Sequence, residues 1–466
     1  MSYPIAFQLL RQLSVREVKQ FASLLETPAF NRRVELTLLL KWWQKHTHEM
    51  PDRRQVFQAV YADKPYRDRD WYLMLSRLHQ LLEQFLVWEE LRRNPLQSYP
   101  LLLQSLRRRK LSTFYERTYR QSKALTQKRT RTDAEILYLE YALEKSYYDF
   151  VASHKRKTYT NIQQVSDQLD HFFIAEKLKQ ACLAHSRGLV NQEHYHIHLL
   201  KAVEQELVER PSLQDIPAIR IYHACYQAVV QSGDETAFQY LRKVMDDLIA
   251  YFPPQEVRDI YLLAINYCIR ALNRGEEPFV LEAFALYERS LILGHLLEDG
   301  HIPESTYSNI VSLGLKLRKF SWVKTFISEH TSSLRINFRE PLEGLSTARL
   351  LYSQGSLSRA LQELARVETK APFLYLGVKS LQLKILYELE SWDALDSLLE
   401  SFRVYLQRRP NLGYVREHYQ YLINYTRRLL QLPPGDQVAQ KALAQEIQTT
   451  DALREKEWFL ERLSAL

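Results

Sequence analysis

Apolar residues return at three- and four-residue intervals through most of the chain, and no stretch alternates as a half-buried strand would. After Asn31, the positions Leu36, Leu39, Leu40 and Trp43 fall on one helical face. Trp71, Leu75, Leu78, Leu82, Phe85 and Leu86 repeat the pattern and predict one long helix from about Asp68 to Arg93, with a shorter one over Arg53 to Tyr61 before it. Ser14-Val15-Arg16-Glu17 reads as a capping box, with Leu13 and Val18 as its hydrophobic staple. The helix it opens ends near Glu26, before Pro28. Residues 1–95 therefore form an N-terminal helical module closed by Pro95. Residues 96–158 hold three more helices. The last is opened by a second capping box, Thr132-Asp133-Ala134-Glu135, and carries Tyr138, Tyr141, Tyr147, Tyr148 and Phe150.

From about residue 160 the pattern repeats. Ser321-Trp322, Ser356-Leu357 and Ser391-Trp392 recur every 35 residues, each after a short turn and each opening a helix. Upstream, Cys182, Cys225 and Cys268 recur every 43 residues, each followed by a helix-ending glycine, Gly188, Gly233 or Gly275. Ala348 and Leu383 occupy the equivalent place downstream. A buried residue late in the first helix of each pair thus marks the repeat. Periods near 34 with helix–turn–helix grammar are the mark of tetratricopeptide arrays. Gly344, Ala348, Gly355, Ala360 and Leu364 resemble that consensus best, while its Trp-Leu-Gly opening and closing Pro are mostly missing. The resemblance covers residues 160–430. It implies an all-α fold: a right-handed α-solenoid of tandem antiparallel helix pairs over 159–432, preceded by the N-terminal module and the 96–158 connector. Residues 433–466, after Pro433-Pro434-Gly435, are expected to cap it with Trp458, Phe459 and Leu463.

The whole chain also resembles a family of uncharacterised bacterial helical-repeat proteins, through Leu13-Ser14, Glu17, Phe21, Pro28 and Phe30-Asn31, and through Asn266-Tyr267-Cys268-Ile269-Arg270 with Asn273-Arg274-Gly275. That resemblance implies the fold and brings no activity with it.

Composition narrows the setting. Three widely spaced cysteines among 466 residues argue for free thiols and a reducing compartment. No signal-peptide pattern opens the chain, and no run of about 18 uncharged apolar residues would span a membrane. A cytoplasmic protein without membrane attachment is expected. The net charge of +8 is uneven: residues 1–158 carry +12 and the rest −4. The basic character belongs to the first third.

The phosphate-binding loop GxxxxGK[ST] is absent, as are GxGxxG, HExxH and GxSxG, so neither an enzyme nor a cofactor is expected. His194 and His198 are spaced to share a helix face near His196, Cys182 and His185, yet no carboxylate completes a ligand set, and no metal site is assigned. The cysteines read as tight helix contacts rather than redox groups. From Arg92 to Arg131 there are 12 basic residues and one acid. Arg107, Arg108, Arg109, Lys110, Arg117, Arg120 and Lys123 are interleaved there with Tyr99, Tyr115 and Tyr119, as in surfaces that neutralise phosphates and stack bases. A solvated face or an acidic protein partner fits the same pattern. The second candidate is the groove of the array. Residues one and four past the marker position are expected on the concave side: Arg349 with Tyr352, and Lys384 with Tyr387. Tyr222, Tyr226 and Asn273 are the upstream counterparts. Such a ladder of cations and rings suits a protein or peptide ligand, especially an acidic one. The expected function is a non-catalytic interaction scaffold, with nucleic-acid association through 92–131 as the alternative and no small-molecule substrate indicated.

Overall fold

The computed structural model describes residues 4–46, 52–128, 132–154, 160–191, 195–230, 234–409, 415–433, 435–450, 453 and 455–465. Among them the fold is all-helical, without strands. The chain divides into two compact units, 1–176 and 177–466, and the division falls within one helix.

The first unit begins with α1 (Ile5–Gln12), α2 (Val15–Leu25), α3 (Val34–Lys45), α4 (Arg53–Val60) and α5 (Asp68–Arg93). The capping box opens α2 as its spacing demands. The Glu17 amide donates to Ser14 Oγ at 3.2 Å, and the Ser14 amide donates to Glu17 Oε2 at 2.8 Å. Asn31 is buried between α2 and α3. Its side chain donates to the carbonyls of Leu25 and Arg33 and accepts from the Arg33 amide, which fixes the turn. The apolar stripes of α3 and α5 meet in one core with Phe7 and Leu10 of α1. The α1 helix has no place in the sequence pattern, because its N-cap is Pro4 and no side chain caps it.

Three further helices, α6 (Pro95–Arg108), α7 (Ser112–Gln127) and α8 (Ala134–His154), pack on one another. Two of the expectations shift here. Pro95 opens α6 instead of closing what precedes it, since a first-turn proline forfeits no helical hydrogen bond. The cap of α8 is Asp133, one residue after Thr132: its carboxylate accepts from the Ile136 amide at 2.9 Å. Glu135 is thereby released, and it accepts from Gln97 Nε2 at 2.6 Å.

The division between units lies in α9 (Ile162–Asn191). The second unit continues through α10 (Leu200–Glu209), α11 (Pro217–Val230), α12 (Glu235–Leu248), α13 (Pro254–Asn273), α14 (Phe279–Ile292), α15 (Glu304–Lys316), α16 (Phe320–His330), α17 (Arg339–Ser353), α18 (Leu357–Ala365), α19 (Pro372–Glu388), α20 (Trp392–Gln407), α21 (Val415–Leu430), α22 (Gln437–Thr449) and α23 (Lys456–Ser464). From α11 to α20, successive helices pack as pairs. The first helix of a pair also meets the first helix of the next, at α11–α13, α15–α17, α17–α19 and α19–α21.

The repeat marker is a packing position. Cys182, Cys225, Cys268, Ala348 and Leu383 are all fully buried. In α15 the place is taken by Gly314, which lies 34 residues before Ala348 and is not evident from the cysteine spacing. A Cβ on Gly314 would stand 2.6 Å from Val323 Cγ2 of α16, so that pair approaches too closely for any side chain.

The recurring turn within pairs is a left-handed closure, not a serine cap. Ser356 and Ser391 stand at N-cap positions without a capping bond, and Ser321 lies inside α16. The first helix instead ends in a Schellman motif. The Lys319 amide donates to the Gly314 carbonyl, Ser356 to Leu351 and Ser391 to Leu386. The residue just before each donor has positive φ: Arg318 54°, Gly355 77° and Glu390 54°. The Trp322 ring after Ser321 packs edge-on to Phe284 of α14 at 4.7 Å. Asp299-Gly300 adopts positive φ at both residues and closes a single bridge between Glu298 and His301, a hairpin turn without strands.

A side chain in the left-handed region costs roughly 1–2 kcal/mol. Arg318→Gly and Glu390→Gly are therefore each expected to stabilise the protein by about 1 kcal/mol, and Gly355→Ala to destabilise it by about as much, read from urea unfolding midpoints.

Candidate functional site

The register of α17 and α19 brings Arg349, Tyr352 and Lys384 to one face, where they line a cavity of about 330 Å³. Ser312 and Leu315 of α15, Gly377 and Ser380 of α19, and His418, Tyr419 and Leu422 of α21 complete the wall, with Leu453 and Glu455 closing it. The face is already occupied by the chain itself. Glu455 forms an ion pair with Lys384. Trp458 Nε1 donates to Glu388 Oε1 at 2.7 Å, and the Trp458 ring meets Tyr387 edge-on at 5.4 Å. Arg462 stands 3.9 Å from the same Glu388 oxygen, and Glu457 reaches Lys316 of α15 at 3.6 Å. Leu453, Trp458, Phe459 and Leu463 are buried in a core shared with α19, α20 and α21. The expected terminal cap is thus a segment that crosses back over three helix pairs.

Electrostatics divide the cations of this face. Lys384 is paired, whereas among the described residues no carboxylate lies within 4.0 Å of the Arg349 guanidinium. Burial pulls the Arg349 pKa below its ordinary value, and only Tyr419 and Glu455 act against that pull. Gly377 stands beside it: a Cβ there would sit 3.5 Å from an Arg349 Nη, so the missing side chain leaves the guanidinium open to the cavity. The Tyr352 hydroxyl donates to Glu388 at 2.5 Å, and burial together with that carboxylate raises its pKa. Sequence spacing supplies Arg349, Tyr352, Lys384 and Tyr387. It does not supply Glu388 or Glu455, which become neighbours only through the return of the segment.

The upstream candidates do not extend this face. Tyr222 is enclosed in the core, 1% exposed, and its hydroxyl donates to Glu256 at 2.8 Å, a carboxylate that also pairs with Lys179. Three residues before the marker is a core-facing position, so Tyr222 cannot line a groove. Tyr226 is half-buried beside Glu204, which with desolvation pushes its pKa to about 12. Asn273 is exposed as the last residue of α13.

The basic segment loses its aromatic component. Tyr115 is fully buried and stacked on Phe150 at 4.0 Å; Tyr119 is stacked on Tyr147 at 4.3 Å and donates to Glu144. Tyr115 offers no face to a base, and Tyr119 is half-buried in the same seam between α7 and α8. Four of the seven candidate cations are also engaged. Arg107 pairs with Asp149 at 2.9 Å, Arg120 with Glu116, and Lys123 with buried Glu144, while Arg109 bonds to Ser105. Arg108, Lys110 and Arg117 are exposed and make no ion pair with another described residue. Arg129 and Arg131 lie outside the described residues.

His194 also lies outside them. His196 and His198 precede α10 in non-helical backbone, so the expected shared helix face does not form. Among the described residues no group of His, Cys, Asp and Glu is arranged to hold a metal ion, and no helix is long and apolar enough to cross a membrane. Compared with protein-family models, curated proteins and solved structures, the chain matches none.

Burial raises all three thiol pKa values, to about 12 for Cys225 and Cys268. At pH 8 the thiolate fraction of the folded protein is then negligible. Iodoacetamide is expected to leave all three unmodified in the native protein and to alkylate all three in urea, as mass spectrometry would count. Glu388→Ala strands the Tyr352 hydroxyl and the Trp458 indole N–H; its expected cost is about 3 kcal/mol, measured by denaturant unfolding.

Proposed function

We propose that the chain is a non-catalytic, cytoplasmic interaction scaffold: a degenerate tetratricopeptide-like solenoid whose first-helix face takes up a segment of a protein partner. The observation that carries this reading is the internal one. The face formed by α15, α17 and α19 accepts residues 455–463 through chemistry that any matching segment offers: a carboxylate for Lys384, an indole between Tyr387 and Glu388, and apolar side chains beyond them. A partner bearing an acid followed three residues later by a large aromatic would use the same contacts. Neighbour-to-neighbour packing of helix pairs, with buried marker residues at intervals of 34 and 35, supports the solenoid part of the reading.

The test is binding in trans. A fluorescein-labelled peptide of residues 453–464 is titrated into the full chain and into its Trp458→Ala variant, where the internal copy is weakened. The variant is expected to bind the peptide at least roughly tenfold more tightly than the wild type, since Trp→Ala forfeits about 3–5 kcal/mol of packing in the internal copy. Adding Lys384→Glu is expected to abolish the gain. A folded Trp458→Ala variant that ignores the peptide overturns the reading.

A further inference from the structure

Among the described residues, the Arg349 guanidinium lines the cavity without a carboxylate of its own, unlike the neighbouring cations of this face. Buried charge persists where it is paired or hydrogen-bonded. The neighbouring cations obey that rule: Lys384 meets Glu455, Arg462 meets Glu388, and Lys316 meets both Glu277 and Glu457. Arg349 lies among them with no carboxylate in reach among the described residues. Beside it stands Gly377, in the middle of α19, where a Cβ would rest 3.5 Å from an Arg349 Nη and an alanine would stabilise the helix by roughly 1 kcal/mol.

We infer that this cavity binds the carboxylate of a small monoacid, held bidentately by Arg349. The planar fork of arginine matches the two oxygens of a carboxylate, and that geometry is strongest where water is excluded. Charge selects a monoanion. Among the described lining residues Arg349 and Lys384 bring two positive charges and Glu455 removes one, so a single negative charge balances them. A phosphate dianion would leave an uncompensated charge. Leu315, Leu381 and Leu422 supply apolar wall, while Ser312, Ser353, Ser380, Tyr352 and Tyr419 supply hydroxyls, so the remainder of the ligand carries apolar surface together with hydrogen-bonding groups. A volume of about 330 Å³ stands near the lower end of the range of roughly 300–1,000 Å³ for small-molecule sites. The same carboxylate chemistry has two sources, a free acid or the terminal carboxylate of a peptide. The inference does not rest on the segment-binding reading, which depends on Lys384 and the Trp458 seat and not on Arg349.

Full-length protein is titrated by calorimetry and by thermal shift with benzoate, N-acetyl-leucine, N-acetyl-leucinamide, and an N-acetylated pentapeptide ending in leucine with a free carboxylate. At least one acid is expected to bind saturably and raise the melting temperature, while the amide does neither. Arg349→Gln is expected to weaken that acid at least roughly tenfold, the loss typical of a charge-assisted hydrogen bond. Arg349→Lys is expected to weaken it comparably, because an ammonium lacks the fork. Each variant's ligand-free melting curve reports whether it folds. If Arg349→Gln does not fold, Gly377→Leu fills the cavity with Arg349 intact and is expected to lose the ligand likewise. Binding by the pentapeptide alone assigns the carboxylate to a chain terminus, and binding by a free acid at equal or greater strength assigns it to a small molecule. The inference is overturned if no acid binds, if the amide binds as tightly as its acid, or if the folded variants bind like the wild type.

Discussion

A helix pair has two apolar flanks and by itself covers only the inner one. Each pair in the second unit therefore needs a neighbour, and everything built on α11 to α21 follows from that need. Packing within and between pairs requires an apolar group at one structural place, which Cys182, Cys225, Cys268, Ala348 and Leu383 fill despite their different sizes, while Gly314 marks the tightest approach. Burial makes the thiols inert, so the cysteines act here as small apolar groups. The last pair faces the same need, and α22 with α23 meets it.

How α23 meets it is the less expected part. Glu388 Oε1 takes the Tyr352 hydroxyl from α17, the Trp458 indole from α23 and the approach of Arg462. One carboxylate thus satisfies donors from two helices on opposite sides of it. Two hydrogen bonds and a nearby guanidinium at that oxygen offset the cost of partly burying the charge. Arg349 lines the same cavity as Leu453 and Glu455 of that segment, yet among the described residues it has no such arrangement. The contrast within one face separates the described residues that hold the segment from Arg349, which does not.

Much of this was legible in the sequence, and the failures have physical reasons. Helical class, the long α5, the Ser14 capping box and the clustering of Arg349, Tyr352 and Lys384 all follow from periodicity and spacing, which are local. Turn chemistry was misjudged because Ser356 and Ser391 do occupy N-cap positions, but the turn is fixed by backbone bonds that any residue can make. Arg318 and Glu390 gave no signal, since neither is a residue that favours positive φ. Tyr222 and Tyr115 look like surface aromatics beside polar neighbours, yet Glu256 and Ser146 satisfy their hydroxyls inside the core. The return of residues 455–463 onto α15 to α19 is a contact between positions 70 or more residues apart, and no local pattern encodes it.

The Lys316–Glu457 and Trp458–Glu388 contacts carry a consequence for cooperativity. A row of pairs that touch only their neighbours frays piece by piece, because each interface fails almost independently. A strut that spans α15, α17 and α19 ties those interfaces together: opening any one strains the contacts of all. The strut can dock only after the helices beneath it are in place, since its loop closures are long and its partners are distributed. It adds little to the speed of assembly and much to the unity of unfolding, so this part of the chain behaves as one folding unit where its repeat pattern alone suggests three.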